Sequence, residues 1–287
     1  MYLLKKIKIL TMSLLLTVAV VPSASASPSH NSSSQVLEEA EQVASNYFNS
    51  YISKDIEGRI KNSVEPNYEN DTERRSAYAL QAETDTPVVD FKILNSTEVS
   101  NSEVHLSVQF TTVDTILPPL PYEVKKINQD WKVVLIPQEV NADQNSPDYG
   151  KVKPINVENT EYIDNSGLMA ARATTLDYYS FSNWGGNTLI GKDTFNTTNN
   201  WVSIMGYQSD SNWNGGPTSG FYVKYEIITQ IGGSVQWYGQ KTVNGYYFQE
   251  NQYYAIINLS ANKISNAKVR ISSNGNQVSG AGNVYEN

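Results

Sequence analysis

The feature that most constrains the fold is a change in the spacing of apolar residues after about residue 87. Before it, apolar side chains between residues 36 and 52 recur every three or four positions, which predicts an amphipathic helix with one wide apolar stripe. Ser34 is placed to cap this helix, and Glu38 and Glu39 lie near its positive end. After the change, apolar and polar residues alternate in short runs, which predicts strands with one buried face. The chain is therefore expected to be α+β followed by all-β.

The first 26 residues have the pattern of a secretory signal peptide. Lys5, Lys6 and Lys8 form a basic head, an apolar run covers 9–21, and small residues end in Ala24-x-Ala26. The apolar run is shorter than the roughly 20 residues that a membrane-spanning helix needs. We expect cleavage after Ala26, export, and no membrane anchor after cleavage.

The composition narrows the cellular setting and the possible partners. The chain has no cysteine, so its stability depends on core packing without disulfides, and no lipid can be attached to cysteine. These features favour a Gram-positive protein that is secreted or loosely associated with the cell wall. Residues 27–164 contain 11 basic against 23 acidic residues, whereas residues 165–287 contain 7 against 6. This contrast predicts two domains, and the acidic charge argues against nucleic-acid binding.

The first domain is expected over residues 35–140. A second, less regular helix is predicted over 59–81, where Pro66 interrupts it. Alternating runs follow, with Val89, Phe91 and Ile93 expected on a buried face. The order of a helix, a broken helix and an antiparallel sheet ending in YEVKKINQDWKVVLIP resembles the NTF2-like, cone-shaped α+β family. That resemblance implies a fold and no chemistry, since members range from enzymes to binding domains.

His105 is the one histidine within the two proposed domains. The alternation places it on the polar face of its strand, which favours a solvent-facing or pocket-lining role over catalysis. Asp90 lies on the polar side of its own strand, so a His–Asp pair is conceivable. Neither the first domain nor the second contains a pattern that predicts a cofactor or a metal ion.

Residues 141–172 are expected to be a linker, because they contain Pro147, Gly150, Pro154 and Gly167 and little apolar periodicity. The segment 168–173 reads Leu-Met-Ala-Ala-Arg-Ala. One interpretation is a lead-in to the first strand of the next domain. The other is a protease site that would release the C-terminal part from an acidic pro-domain.

The second domain, residues 173–287, is predicted to be an antiparallel β-sandwich. Six or seven short runs of strand-forming residues are separated by turn signals. Gly232-Gly233 predicts a tight connection, and Asn244-Gly245 predicts a hairpin between 240–243 and 246–249.

This domain contains more aromatic residues than one core requires. Adjacent aromatic residues on a strand face opposite sides, so one ring of each adjacent pair should point outward. The pairs are Tyr178/Tyr179, Trp237/Tyr238, Tyr246/Tyr247 and Tyr253/Tyr254. Outward tyrosines could equally serve to stabilise strands through cross-strand pairs. The binding residues that we predict are Trp184, Trp213, Trp237, Tyr238, Tyr246 and Tyr247.

A catalytic function has less support in the sequence. A glycoside hydrolase needs two converging carboxylates, and Glu226 and Glu250 are the candidates on or beside strands. No histidine lies in the second domain to complete a Ser-His-Asp triad. The sequence therefore predicts a secreted, non-catalytic protein whose C-terminal domain binds an extracellular glycan or protein through aromatic residues. The alternatives are a secreted glycan hydrolase and the precursor of a secreted effector or toxin. The sequence gives no indication of the oligomeric state.

Overall fold

The computed structural model describes residues 33–155, 160–163, 174–185, 188–210, 220–275 and 277–286. The predicted signal peptide lies outside these residues. No helix in the described ranges has the length and apolar character needed to cross a membrane. The described secondary structure is mostly β, with three helices near its beginning.

The helices are α1 (Ser33–Ile52), α2 (Ile56–Asn62) and α3 (Asp71–Thr84). The predicted amphipathic helix is confirmed, and its apolar stripe is buried against the first sheet. The predicted second helix is two helices, because the chain leaves helical geometry over 63–70, around Pro66. Asn70 starts α3 anew by accepting hydrogen bonds from the backbone N–H groups of Thr72 and Glu73.

The helices pack on a five-stranded sheet with the order β1-β5-β4-β3-β2. The ring of Phe48 in α1 lies 5.2 to 5.4 Å from those of Phe91 and Phe110 and 5.1 Å from that of Tyr122. The strands are β1 (Ser63–Val64), β2 (Val88–Ser100), β3 (Glu103–Thr112), β4 (Leu120–Ile127) and β5 (Asp130–Val134).

The expected burial of Val89 is wrong, since its side chain is 51% exposed. A register shift between Val88 and Asp90 changes the alternation at the start of β2, so Val88 is buried instead. Farther along β2, Phe91 and Ile93 do pack partly against the core.

Two further sheets pack face to face, as in a β-sandwich. Their shared core includes the rings of Tyr179 and Tyr225, 5.4 Å apart, and that of Tyr253, 5.6 Å from Tyr225. The strands after residue 173 are β9 (Thr174–Trp184), β10 (Thr188–Gly191), β11 (Phe195–Thr197), β12 (Trp201–Asp210), β13 (Tyr222–Ile231), β14 (Ser234–Asn244), β15 (Tyr253–Asn258), β16 (Ile264–Ser273) and β17 (Val278–Glu286).

The larger sheet has eight strands, and the smaller has four in the order β15-β12-β17-β9. All described pairs among strands after residue 173 are antiparallel, as expected. The eight-stranded sheet also takes in β6 (Gln138–Asn141), β7 (Val152–Pro154) and β8 (Thr160–Ile163), which precede that domain. β6 pairs in parallel with β14 and β8 in parallel with β10, so this sheet is mixed. The range expected to be a linker thus contains strands β7 and β8.

The two glycine-containing turn signals have different outcomes. Gly232 and Gly233, at φ of 55° and 83°, form the predicted tight connection between β13 and β14. The hairpin predicted at Asn244-Gly245 is wrong. There the chain crosses to the four-stranded sheet, where Tyr247 forms an isolated bridge with Gln208 of β12.

The N-terminal half holds the tip of the β13–β14 hairpin. The Asp85 carboxylate accepts hydrogen bonds from the Tyr51 hydroxyl and from the backbone N–H of Gly232, both at 2.9 Å. The backbone N–H of Thr86 donates to the Gln230 carbonyl at 3.0 Å. Residues from Ser32 onward accordingly form one compact unit.

Glycines in β12 and β17 make room for the core ring of Tyr179. A Cβ atom on Gly282 would overlap the Met205 carbonyl oxygen and the Tyr179 hydroxyl. Because one of these neighbours is backbone, side-chain rotation cannot remove the overlap.

We expect Gly282→Ala to reduce the free energy of unfolding by about 1–3 kcal/mol, the usual cost of overpacking. Thermal unfolding by circular dichroism measures this, with the exposed β14 substitution Thr242→Ala as a control that should change little. Equal stability of the two variants would contradict the packing argument.

Candidate functional site

The outward face of the four-stranded sheet is aromatic and uncharged. Residues directly opposite each other in an antiparallel pair point to the same face. Met205 lies between Tyr254 and Asn283, and Ser203 lies between Ile256 and Tyr285. We call this surface the aromatic face, and its outward positions are Thr175, Tyr178, Ser180, Trp201, Ser203, Met205, Tyr207, Tyr254, Ile256, Asn258, Ser279, Ala281, Asn283 and Tyr285. None of these described positions carries an ionisable acid or base of the Asp, Glu, Lys or Arg type.

Large apolar side chains on this face are accessible. Tyr254 is 58% exposed, Ile256 46% and Met205 39%. They are adjacent across β12 and β15, so they form a contiguous patch rather than scattered exposed residues. Contiguous apolar surface of this kind is typical of an interaction site.

The doubled tyrosines alternate between the core and this face. Tyr179 and Tyr253 are buried and their hydroxyls hydrogen-bond to each other, whereas Tyr254 points outward and Tyr178 is half-buried. The expectation that one ring of each pair faces outward is confirmed for these two pairs. It is wrong for Tyr246 and Tyr247, which are both partly exposed and lie between β14 and β15. Burial raises the pKa of Tyr179 and of Tyr253, so both phenols stay neutral. The outward rings therefore lie over a packed, hydrogen-bonded layer that fixes their positions.

Several polar atoms of the aromatic face have no hydrogen-bond partner within the described part of the chain. They are the Ser203 hydroxyl, the Asn283 side-chain carbonyl oxygen and the Thr175 hydroxyl, and all three are shielded from solvent. A shielded polar atom without a partner costs about 1–3 kcal/mol. These atoms lie beneath the surface, so they are a local cost to the fold and are not contact points for a ligand.

The predicted binding residues fall in different places. Trp213 lies outside the described residues. Trp184 and Tyr238 are buried, and the Trp184 ring packs edge-on against Phe181 at 5.7 Å, so both belong to the core. Their side chains cannot form an exposed contact surface without a rearrangement of that core.

The remaining three are partly exposed and are not on the aromatic face. Tyr246 stacks on Phe221 at 4.7 Å, and Tyr247 packs edge-on against the buried Tyr253 at 5.5 Å. Trp237 lies on the opposite side of the sandwich, on the outward face of the eight-stranded sheet, paired with Ile228. The structure thus does not bring these three residues together into one surface.

Trp237 lines an open groove of about 540 Å³ on that opposite side, together with Glu226, Lys224 and Glu139. An ion-pair network runs along its floor, in which Arg270 bonds both Glu139 and Glu226, the latter at 2.8 Å. Lys224 lies 2.9 Å from Glu226. We call Glu139, Arg270 and Glu226 the ion triad. Every carboxylate in it is already paired, which suits structural linkage better than proton transfer.

The carboxylates of the hydrolase alternative are far apart in the topology. Glu226 is only 3% exposed and its side chain points away from the four-stranded sheet, toward the groove. Glu250 is exposed, in the connection that leads from β14 into β15 of that four-stranded sheet. The two residues therefore belong to different sides of the sandwich, whereas hydrolysis needs them to flank one bond.

His105 lies on the exposed face of β3, with its Nε2 2.9 Å from Glu103 and Glu123 opposite it on β4. One potential ligand atom of each residue falls within 4.8 Å of the others, a spacing that a metal ion could use. Lys125 already pairs with both carboxylates, at 3.4 Å and 2.8 Å. The hydrogen bond from His105 lowers the pKa of Glu103, as expected for a balanced surface network.

Sequence reasoning missed most of the aromatic face. Trp201, Tyr207 and Tyr285 were not among the predicted binding residues, although Trp201, Ser203, Met205 and Tyr207 alternate within one run. That period-two pattern was the available signal. It could not show that the outward positions of four strands, distant in sequence, would form one surface.

Comparison with known proteins gives no assignment. No family model matches the chain, and no curated protein matches it.

The ion triad makes one pH dependence testable. Burial raises the pKa of Glu139, but the pairs with Arg270 and Lys153 outweigh burial, so the pKa lies below its usual 4.5. A carboxyl with a lowered pKa stabilises the fold above its unfolded pKa and loses that contribution as the pH falls through the folded value. We expect Glu139→Gln to be less stable than wild type at neutral pH, and the difference to shrink below about pH 4.5. Denaturant unfolding across this pH range measures it, and a constant difference would rule out the linkage.

Proposed function

We propose that this is an exported, non-catalytic protein that binds a neutral extracellular glycan through the aromatic face. The observation that carries the proposal is an uncharged sheet face that combines five aromatic side chains with exposed polar side chains such as Asn258. Tyrosine and tryptophan offer flat apolar surfaces with polar tips, which suit the faces and hydroxyls of sugar rings.

A glycan satisfies this surface better than an apolar protein partner would. An apolar partner would cover the exposed Asn258 amide and the Tyr254 hydroxyl and leave them without hydrogen bonds. A sugar presents hydroxyls that donate to such oxygens beside C–H faces that pack on rings. The absence of charge on the outward positions also favours a neutral chain over an anionic one.

We also propose that residues 35–140 form an NTF2-like domain. The packing of three helices on one five-stranded sheet supports this, as does the closing strand pair β4–β5. This fold assigns no chemistry to the domain, so we assign it a supporting role.

Export predicts a specific mature form. The chain recovered from a culture supernatant should begin at Ser27, since cleavage is expected after Ala26. Intact-mass spectrometry of the secreted protein measures this. A fragment beginning near Ala173 would instead support the precursor alternative, and a chain retaining residues 1–26 would contradict signal cleavage.

Glycan binding is tested with the purified mature chain on insoluble peptidoglycan, chitin, cellulose and xylan. We expect retention by one of these polymers. Trp201→Ala and Tyr254→Ala should each weaken it roughly ten-fold, equivalent to about 1.4 kcal/mol for the loss of one stacking ring. Binding isotherms on the retaining polymer measure the change.

The matched control is Tyr149→Ala, which removes an exposed tyrosine on the turn between β6 and β7, away from the aromatic face. It should bind like wild type. No retention of the wild type, or retention that neither aromatic-face variant changes, would overturn the proposal. Loss of retention in Trp237→Ala alone would move the binding site to the opposite groove.

A further inference from the structure

A second, separate cavity lies where the N-terminal half meets the outward face of the eight-stranded sheet. It has a volume of about 290 Å³ and is bounded by α3, by the segments that flank β6 and β7, and by β10, β13, β14 and β16. Ile155, Ile190 and Val235 give it one apolar wall, which forms a small cluster of its own apart from the main core. Glu65, Asp85 and Lys268 contribute charged groups to the same cavity.

Lys268 is the unusual member of this lining. Its side chain is on the outward face of β16, opposite Ile228, and it is only 2% exposed. Its Nζ donates one hydrogen bond, 2.8 Å long, to the side-chain oxygen of Gln230. No carboxylate in the described ranges lies within ion-pair distance of it. An ammonium has three donors, so two of them have no described acceptor.

The two acidic side chains are also incompletely satisfied. One oxygen of Asp85 accepts from Tyr51 and Gly232, and one oxygen of Glu65 accepts from the Tyr78 hydroxyl at 3.1 Å. The second oxygen of each carboxylate accepts no hydrogen bond from the described residues. Burial raises the pKa of both Glu65 and Asp85 and lowers that of Lys268, because each charge is withdrawn from water.

Asp85 and Lys268 attract each other but form no direct ion pair. Buried charges without a direct partner are costly, and such groups beside a cavity mark a candidate binding site. The cavity is lined by one cationic group, Lys268, by two acidic groups, Glu65 and Asp85, and by an apolar wall. A ligand that complements all three must carry a carboxylate, an ammonium and an apolar group. The volume of the cavity is near the lower limit of the roughly 300–1,000 Å³ that is usual for small-molecule sites. The ligand must therefore be a small molecule.

We propose that this cavity binds a free α-amino acid with an apolar side chain. The carboxylate pairs with Lys268, the ammonium pairs with Glu65 and Asp85, and the side chain packs on Ile155, Ile190 and Val235. The zwitterion supplies hydrogen bonds to both signs of buried charge at once. This site is on the other side of the sandwich from the aromatic face and does not depend on glycan binding.

The experiment uses L-leucine as the probe, with the mature chain and isothermal titration calorimetry. Two analogues test the parts of the zwitterion: 4-methylpentanoate lacks the ammonium, and 3-methylbutylamine lacks the carboxylate. We expect leucine to bind and each analogue to bind roughly ten- to a hundred-fold more weakly, as for the loss of a hydrogen bond to a charged group. No binding of leucine, or equal binding of either analogue, would overturn the proposal.

Substitutions locate the site. Lys268→Met should abolish leucine binding while the chain stays folded, since an apolar side chain can replace an unpaired buried ammonium. Lys192→Met is the matched control, because Lys192 also lines the cavity but its side chain is exposed. It should retain most of the affinity. Glu65→Gln provides an independent variant if Lys268→Met fails to fold, and it should weaken leucine but not 4-methylpentanoate. Unchanged leucine affinity in a folded Lys268→Met or Glu65→Gln protein would contradict the assignment.

Discussion

The structure depends on the burial of β13 on both of its faces. From Tyr225 to Ile231 every residue of this strand is buried. One face supplies Tyr225 and Ile227 to the core between the two sheets. The other carries Glu226, which belongs to the ion triad, and Ile228, which packs with Ile190 and Val235. A strand of this kind needs a cover on each side, because its hydrophobic and paired charged residues cannot face water. On the second face that cover comes from the ion triad and from side chains such as Ile155 and Trp237. The N-terminal half bonds the tip of the β13–β14 hairpin through Asp85 and Thr86.

This constraint explains why the two outer surfaces of the sandwich differ so strongly. The side that meets the N-terminal half contains buried ionic groups. Arg270 pairs with residues remote in sequence, and Lys268 faces the cavity. The open side, the aromatic face, has no such groups and exposes rings instead. Ion pairs in a partly buried setting fix the relative placement of elements, because breaking one leaves a buried charge behind. Rings on an open face keep their apolar area available for a partner.

The sequence predicted those features that arise within a few residues of one another. The helical stripe from Val36 to Phe48, the alternation in β3 and the Gly232-Gly233 turn each depend on local spacing, and all three are present. The crossing at Asn244-Gly245 was missed because it is fixed by Gln208, whose amide donates to the carbonyls of Val243 and Gly245 from another sheet. The ion triad joins residues 131 and 44 positions apart, and no local pattern encodes such a pairing. The prediction of binding residues was incomplete in part for the same reason. Alternation along one strand shows which ring faces outward, but it does not show which outward rings of different strands are neighbours.

The tyrosine layer beneath the aromatic face connects stability to binding. Tyr179, Tyr225 and Tyr253 fill the core under β12 and β17, and glycines at 206 and 282 allow the Tyr179 hydroxyl to approach the backbone. Burial raises the pKa of Tyr225 and of Tyr253, so these phenols stay neutral near neutral pH and keep their hydrogen bonds. A rigid layer of this kind holds the outward rings in place before any ligand arrives. Rings that are already ordered lose little conformational freedom on binding, and that preorganisation allows a flat face with few hydrogen bonds to hold an extended ligand.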